Sequence, residues 1–155
     1  MTITLVRILR DGAIDGAPLD LASLPVDVLP ATVDLYRSRG YEPPWAGYLA
    51  AEAGRAVGTC AFASPPAAGH VEIAYFTFPG HEGRGIATAM ARALVELAAA
   101  TDPSLTLLAY TLPRPGASTR ILERLGFRCH GLYDHAEDGW VWVWRRALSG
   151  AAPGE

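Results

Sequence analysis

Two periods of apolar spacing alternate along this chain. Short runs with apolar residues at every second position read as strands, and longer runs spaced three to four apart read as helices. Thr2–Leu9 is expected to be a first strand, followed by a turn-rich stretch Asp11–Asp20. Leu29–Arg39 carries Val33, Leu35 and Tyr36 near helical spacing, which predicts a helix starting after Pro30 and stopping at Gly40. Gly47–Glu52 and Ala56–Ala63 flank Ala53-Gly54-Arg55 as a hairpin, and His70–Phe78 alternates as a longer strand. Ile86, Met90, Ala93, Leu94 and Leu97 then form a helical stripe that faces a core and ends near Ala100. Leu105–Thr111 is the next strand, and Ala117–Leu125 a short helix closed by Gly126. Phe127–Tyr133 and Gly139–Arg146 form a final hairpin turning at Glu137-Asp138-Gly139. Strand, helix, strand in the middle requires a parallel crossover, while the hairpins on both sides require antiparallel pairing, so the sheet is mixed.

Between the strand ending at Phe78 and the helix starting at Ile86 lies a glycine-bearing loop, part of Thr77-Phe-Pro-Gly-His-Glu-Gly-Arg-Gly-Ile-Ala-Thr88. The first turn of a helix leaves about four N–H groups without intrahelical partners, and the aligned peptide dipoles add roughly half a positive charge there. A phosphate or pyrophosphate is therefore the natural ligand of such a place. Gly83 and Gly85 lack a Cβ, so a ligand can approach the backbone and positive φ is permitted.

Two common phosphate loops are disfavoured. A Walker loop ends in Gly-Lys-Ser/Thr, and the chain contains no lysine. A dinucleotide fingerprint requires a third glycine where Thr88 stands and an acidic residue on the next strand, where Leu105–Thr111 has none.

The pattern Thr77-x-Pro79 … Glu82-x-x-Gly85-x-Ala87 resembles the acyl-CoA motif of the GCN5-related N-acetyltransferases (GNAT), Gln/Arg-x-x-Gly-x-Gly/Ala in that family. A second segment, Thr111–Phe127, resembles the family's later motif of strand end, short helix and terminal Gly-Phe. The two motifs and their flanking strands span roughly residues 43–146, and the branch that acetylates ribosomal-protein N-termini is nearest in pattern. The resemblance implies an α/β (α+β) GNAT fold: a mixed, mostly antiparallel twisted sheet with a central splayed parallel pair and flanking helices. It implies acetyl-CoA or a related acyl-CoA as donor, a primary amine as acceptor, no metal, and direct attack in a ternary complex. Backbone groups of Tyr75, Phe76 and Thr77 would pair with the pantetheine arm, one N–H would polarise the thioester carbonyl, and Gly83, Arg84, Gly85, Ile86, Ala87 and Thr88 would hold the pyrophosphate.

Acetyl transfer to an amine also needs a base and a proton for the departing thiolate. Glu72, in Val-Glu-Ile-Ala-Tyr75, is the candidate base, because a carboxylate among apolar neighbours has a raised pKa. The alternative is a solvated edge glutamate or one paired to arginine, and His70 is a second, weaker candidate. Many family members carry a tyrosine four residues before the terminal Gly-Phe at the next motif; here that position is Leu122. Ser118 matches the serine of an Asn-x-x-Ser pattern in the ribosomal branch, so it is the candidate acid; alternatively its hydroxyl bonds local backbone. Tyr110 remains as another hydroxyl, read as packing in the sheet.

Two further positions depart from the family. Glu82 occupies the Gln/Arg position, a negative charge near a pyrophosphate that Arg84 could offset, and Pro115 replaces the asparagine. With Leu122, these departures keep open a rival reading, a non-catalytic acyl-CoA-binding or regulatory module. Trp140, Trp142 and Trp144 alternate with Val141 and Val143, reading as core or edge packing, or as a binding or dimer face.

Composition narrows the class. At 155 residues, 50% hydrophobic and 19% charged, the chain is expected to form one packed domain over residues 1–148 with a loose tail at 149–155. A net charge of −3 argues against nucleic-acid or anionic-membrane partners and suits a cationic amine, with a homodimer left open. No signal peptide or membrane span is seen, so the cytoplasm is the expected compartment. Cys60 and Cys129 are expected as reduced core residues. All 13 basic residues are arginine, and lysine, asparagine and glutamine are absent, the bias of a GC-rich bacterial genome.

Overall fold

A computed structural model describes residues 2–149; most of the expected tail, 150–155, lies outside the described residues. The elements are β1 (Thr4–Arg7), α1 (Val28–Arg39), β2 (Gly47–Glu52), β3 (Arg55–Phe62), β4 (His70–Thr77), α2 (Ile86–Thr101), β5 (Thr106–Thr111), α3 (Ala117–Arg124), β6 (Arg128–His135) and β7 (Gly139–Ala147). Seven strands form one sheet in the order β1-β2-β3-β4-β5-β7-β6. Every pairing is antiparallel except β4 with β5. The expected mixed α+β architecture is therefore the observed one.

Several boundaries differ from expectation for identifiable reasons. Helix α1 begins at Val28 and takes Pro30 into its first turn, where the missing N–H costs nothing because first-turn donors have no intrahelical partner. Strand β1 is shorter than Thr2–Leu9, and Ile8 continues only as a single bridge to Ile14. The β2–β3 hairpin turns on Ala53 (φ 49°) and Gly54 (φ 77°), a pair of left-handed residues that matches the twist of the strands. Strand β6 runs two residues past Tyr133 to His135.

The core lies largely between the sheet and α2. Ile86, Met90, Ala91, Leu94, Val95 and Ala98 form the buried stripe of α2, and Ala93 and Leu97 sit half-buried on its flank. Each large apolar side chain of that stripe contributes about 1.5–3 kcal/mol by leaving water. Met90 packs against β3 at Gly58, where an added Cβ would lie 2.9 Å from the Met90 Sδ and Cε and 3.0 Å from the Phe76 carbonyl oxygen. Helix α1 lies on the opposite face, fixed by Tyr36, whose hydroxyl donates to the Ile8 carbonyl (2.7 Å) and accepts from the Gly47 N–H (2.8 Å).

Of the two cysteines, Cys60 is buried and its thiol is pushed up to about 12 by burial, whereas Cys129 is exposed on the edge strand β6 and is not the core residue expected. The tryptophans grade outward along β7. Trp144 is buried and its Nε1–H donates to Thr111 Oγ1 (3.0 Å), Trp142 is half-buried against it, and Trp140 is 63% exposed.

Candidate active site

The parallel ladder between β4 and β5 is short. It pairs His70 with Thr106, Val71 with Leu107 and Glu72 with Leu108, and then stops. Beyond that point β4 stays with β3 as far as Thr77, while β5 stays with β7 as far as Thr111. The two strands diverge into a fork, and the side of β4 from Ile73 to Thr77 that faces β5 has no ladder partner among the described residues.

The glycine loop and α2 stand at the open end of this fork. Gly85 is the residue before α2 and is left-handed (φ 83°, ψ 10°), as are Gly80 and Gly83 in φ. No side chain caps the helix, so its first-turn N–H groups are free for an external acceptor. A Cβ on Gly83 would meet nothing within 4 Å, so the loop backbone is open. A cleft of about 390 Å³ is lined here by Thr77, Gly83, Gly85, Ile86, Ala87 and Thr88 on one side and by Arg120, Ile121 and Arg124 of α3 on the other. The two arginines, one helical turn apart, stand at no specified position of either family motif. The available signal was their i, i+4 spacing on the helix that follows Ser118.

Arg84 and Glu82 behave differently from expectation. The Arg84 guanidinium pairs with Glu52 at the end of β2, lies 3.2 Å from His81 Nδ1, and is not among the groups lining the cleft. It does not offset Glu82. Glu82 folds back so that its Oε1 accepts from the Gly80 N–H (2.6 Å). Backbone N–H groups of the loop hold the Glu82 carboxyl below its ordinary range. The loop thus already carries one anion.

The loop is also clamped from outside. Ser23 Oγ lies 3.0 Å from His81 Nε2, and Arg84 can only donate to Nδ1. His81 therefore carries its proton on Nε2 and donates to Ser23. That tautomer cannot take a proton from the serine, so the chain Ser23–His81–Arg84–Glu52 is structural and not a nucleophile with its base.

Glu72 occupies the last rung of the ladder, at the base of the fork, and is half-buried. Burial pushes its carboxyl above the ordinary range; His135 and Arg39 pull the other way, and Asp138 and Glu137 add to the rise. Arg39 pairs with Glu137 (3.0 Å), and Glu72 itself has no salt bridge among the described residues. On the same face Tyr110 stacks on Tyr133 (centroids 5.5 Å apart) and meets His135 edge-on (4.8 Å). The His135 Nδ1 accepts from the N–H groups of Glu137 (3.2 Å) and Asp138 (3.3 Å). His70, the other candidate base, sits at the start of β4 with Nδ1 2.8 Å from the Ala68 carbonyl.

Ser118 is exposed in the first turn of α3 and lines a second cleft of about 360 Å³ with Tyr110, Thr111 and Pro115. Its hydroxyl makes no hydrogen bond among the described residues. The local backbone is served instead by Thr119, whose Oγ1 accepts from the Gly116 N–H (2.9 Å). Leu122 is fully buried in the core, so no hydroxyl from that position reaches the site. Tyr75, also half-buried, has its hydroxyl pushed up to about 12 by burial.

A forked parallel pair with a glycine loop and a free helix N-terminus at its mouth defines a protein that receives an elongated, anionic ligand across the end of a sheet. The chain belongs to the GNAT acetyltransferase family: the family model described as an acetyltransferase (GNAT) domain matches residues 26–128. Among solved structures, the Salmonella typhimurium protein yncA, determined with its cofactor acetyl-CoA, is similar with a TM-score of 0.64 at 19% identity, covering 80% of this chain and 76% of that one. RimL, a ribosomal L7/L12 α-N-protein acetyltransferase in complex with coenzyme A, gives 0.64 at 19% identity over 79% and 71% of the two chains. The aminoglycoside acetyltransferase AAC(6')-Ib with coenzyme A gives 0.56 at 23% over 66% and 65%. These likenesses are of fold. A search of curated proteins finds no match.

Proposed function

We propose that this protein is an N-acetyltransferase that moves the acetyl group of acetyl-CoA to a primary amine by direct attack in a ternary complex. The observation that carries the reading is the fork: the unpaired edge of β4 from Ile73 to Thr77 leads directly to free helix N–H groups. The groups present fit coenzyme A. Tyr75, Phe76 and Thr77 offer backbone partners to the pantetheine amides, while Gly83, Gly85, Ile86, Ala87 and Thr88 offer N–H groups to the pyrophosphate. Arg120 and Arg124 add positive charge across the cleft.

Glu72 takes one proton from the substrate ammonium, directly or through water. The freed amine nitrogen then bonds to the acyl carbon as the carbon–sulfur bond breaks, and an N–H of Tyr75–Thr77 steadies the carbonyl oxygen. As the new amide nitrogen sheds its second proton, the thiolate gains one, for which Ser118 is the proposed donor and Tyr110 the alternative. One proton is released per turnover. Two unbridged cysteines and an arginine-only basic complement support a bacterial, cytoplasmic setting. No described helix is long and apolar enough to cross a membrane.

The test is purified protein with acetyl-CoA and a panel of amines, following thiol release together with calorimetric CoA binding. Amine-dependent thiol release is expected. Binding without acetylation of any amine would favour the regulatory-module reading that Leu122, Pro115 and Glu82 keep open. Glu82 makes a separate prediction: Glu82→Gln removes a negative charge from the loop and weakens its hold on the backbone N–H groups. CoA affinity should rise by roughly two- to fivefold, the scale of an exposed charge contact, as read by calorimetry. Unchanged or weaker binding would show that the Glu82 carboxylate helps to shape the loop.

A further inference from the structure

The side of the sheet that carries α1 defines the chemistry of the acceptor. Glu72, Ala74 and Phe76 alternate onto one face of β4, and the register aligns Ala74 with Ala61 and Phe76 with Thr59. That face is the one covered by α1, because the Cβ direction of Gly47, the partner of Ala61, points at Thr32 and Tyr36. Between α1 and the strands runs a groove of about 280 Å³, whose walls include Ala31, Thr32, Thr59, Ala61, Ala74 and Phe76. These are small or aromatic side chains, and the groove's only carboxylate is Asp27 at its end. On the other flank of Glu72 stand the rings of Tyr110 and Tyr133. Phe76 and Tyr133 are 51% and 46% exposed, so both keep aromatic surface available.

The charges on this face are few and mostly committed. Glu137 is held by Arg39 at 3.0 Å, and Asp138 lies 3.5 Å from His135. Glu72 alone is half-buried and without a salt bridge. A substrate with several ammonium groups would have to strip water from charges laid along small and aromatic walls, where the exposed Asp27 is the one carboxylate to meet them, which is costly. A substrate with one ammonium and an apolar body loses nothing and gains contact with the rings.

Resting on the acetyltransferase reading, we infer that the acceptor is a small primary monoamine with an apolar, ring-bearing body. Its ammonium meets Glu72, and its body lies along the groove of Ala61, Ala74 and Phe76. The groove volume of about 280 Å³ falls just below the usual range of ligand clefts, about 300–1,000 Å³, which suits such an amine better than a peptide.

The experiment compares 2-phenylethylamine, spermidine, kanamycin and a serine-initiated peptide at saturating acetyl-CoA, by thiol release. The value of kcat/KM for 2-phenylethylamine should exceed each of the others by at least about tenfold, the discrimination an apolar pocket gives. Ala31→Trp, which fills the groove from the α1 side, should raise the KM for 2-phenylethylamine by about tenfold on the same scale. Its CoA affinity should be unchanged, reporting an intact fold. A polycation or the peptide matching 2-phenylethylamine, or an Ala31→Trp variant with unaltered KM, overturns this inference and leaves the acetyltransferase reading standing. CoA binding with no turnover on any of the four overturns both.

Discussion

Replacing Glu72 with glutamine is expected to lower turnover at neutral pH by roughly 10²-fold or more, the scale on which a positioned general base contributes. CoA affinity should be spared, because Glu72 stands at the base of the fork and not in the phosphate cleft. The pH profile gives the sharper signature. Burial raises the Glu72 carboxyl above its ordinary range, and only the ionised form can take a proton. For the parent enzyme kcat/KM should therefore fall as pH drops through that raised value, at a higher pH than an ordinary glutamate would set, and Glu72→Gln should lose this limb.

Stability moves the opposite way. A carboxyl whose folded pKa is raised binds its proton more tightly in the native state, so its contribution is fully present below the unfolded pKa and is lost as pH rises through the folded one. At pH 7 the buried charge is a burden that glutamine does not carry. Glu72→Gln should thus be slower and slightly more heat-resistant, by thermal melting at pH 7. Retained turnover with the acid limb still in place would remove Glu72 as the base.

The second large effect is expected at Gly85→Val. Gly85 holds φ 83° and ψ 10° immediately before α2, a conformation that costs an L-residue about 1–2 kcal/mol, with β-branching adding to it. The loop can relieve that strain by rotating, but rotation re-aims the first-turn N–H groups. CoA affinity should fall about tenfold or more, each factor of ten being about 1.4 kcal/mol. Gly85→Ala should lose less. Calorimetry reads the affinity and far-ultraviolet circular dichroism the fold; a Gly85→Val protein that binds CoA normally would mean the helix terminus does not hold the anion.

The elements were legible because they are local, whereas the fork was expected only through the family resemblance. Period-two runs, the stripe of α2 and the Gly83–Gly85 loop each follow from a few neighbouring residues, and the crossover between β4 and β5 follows from their order. What was not legible depends on long-range packing. Arg84 finds Glu52, 32 positions away, and so turns from the cleft it was expected to line. Arg120 and Arg124 enter the cleft only because α3 comes to rest beside the start of α2. The ring cluster beside Glu72 exists because β7 inserts between β5 and β6, bringing Tyr110 to Tyr133 and His135. Glu82 was recognised as a misfit in sign, yet its backward fold onto Gly80 is a matter of loop geometry that composition does not encode.

The three rungs joining β4 to β5 make the sheet two half-sheets on a common seam. The point where the seam ends sets where Glu72, the proposed base, stands and how wide the mouth opens. Two more rungs would bring Tyr110 level with Ala74 and zip the mouth shut over both substrates; one fewer would leave Glu72 unbraced. The length of that ladder is thus a catalytic dimension, held open by strands that each keep faith with their outer neighbour.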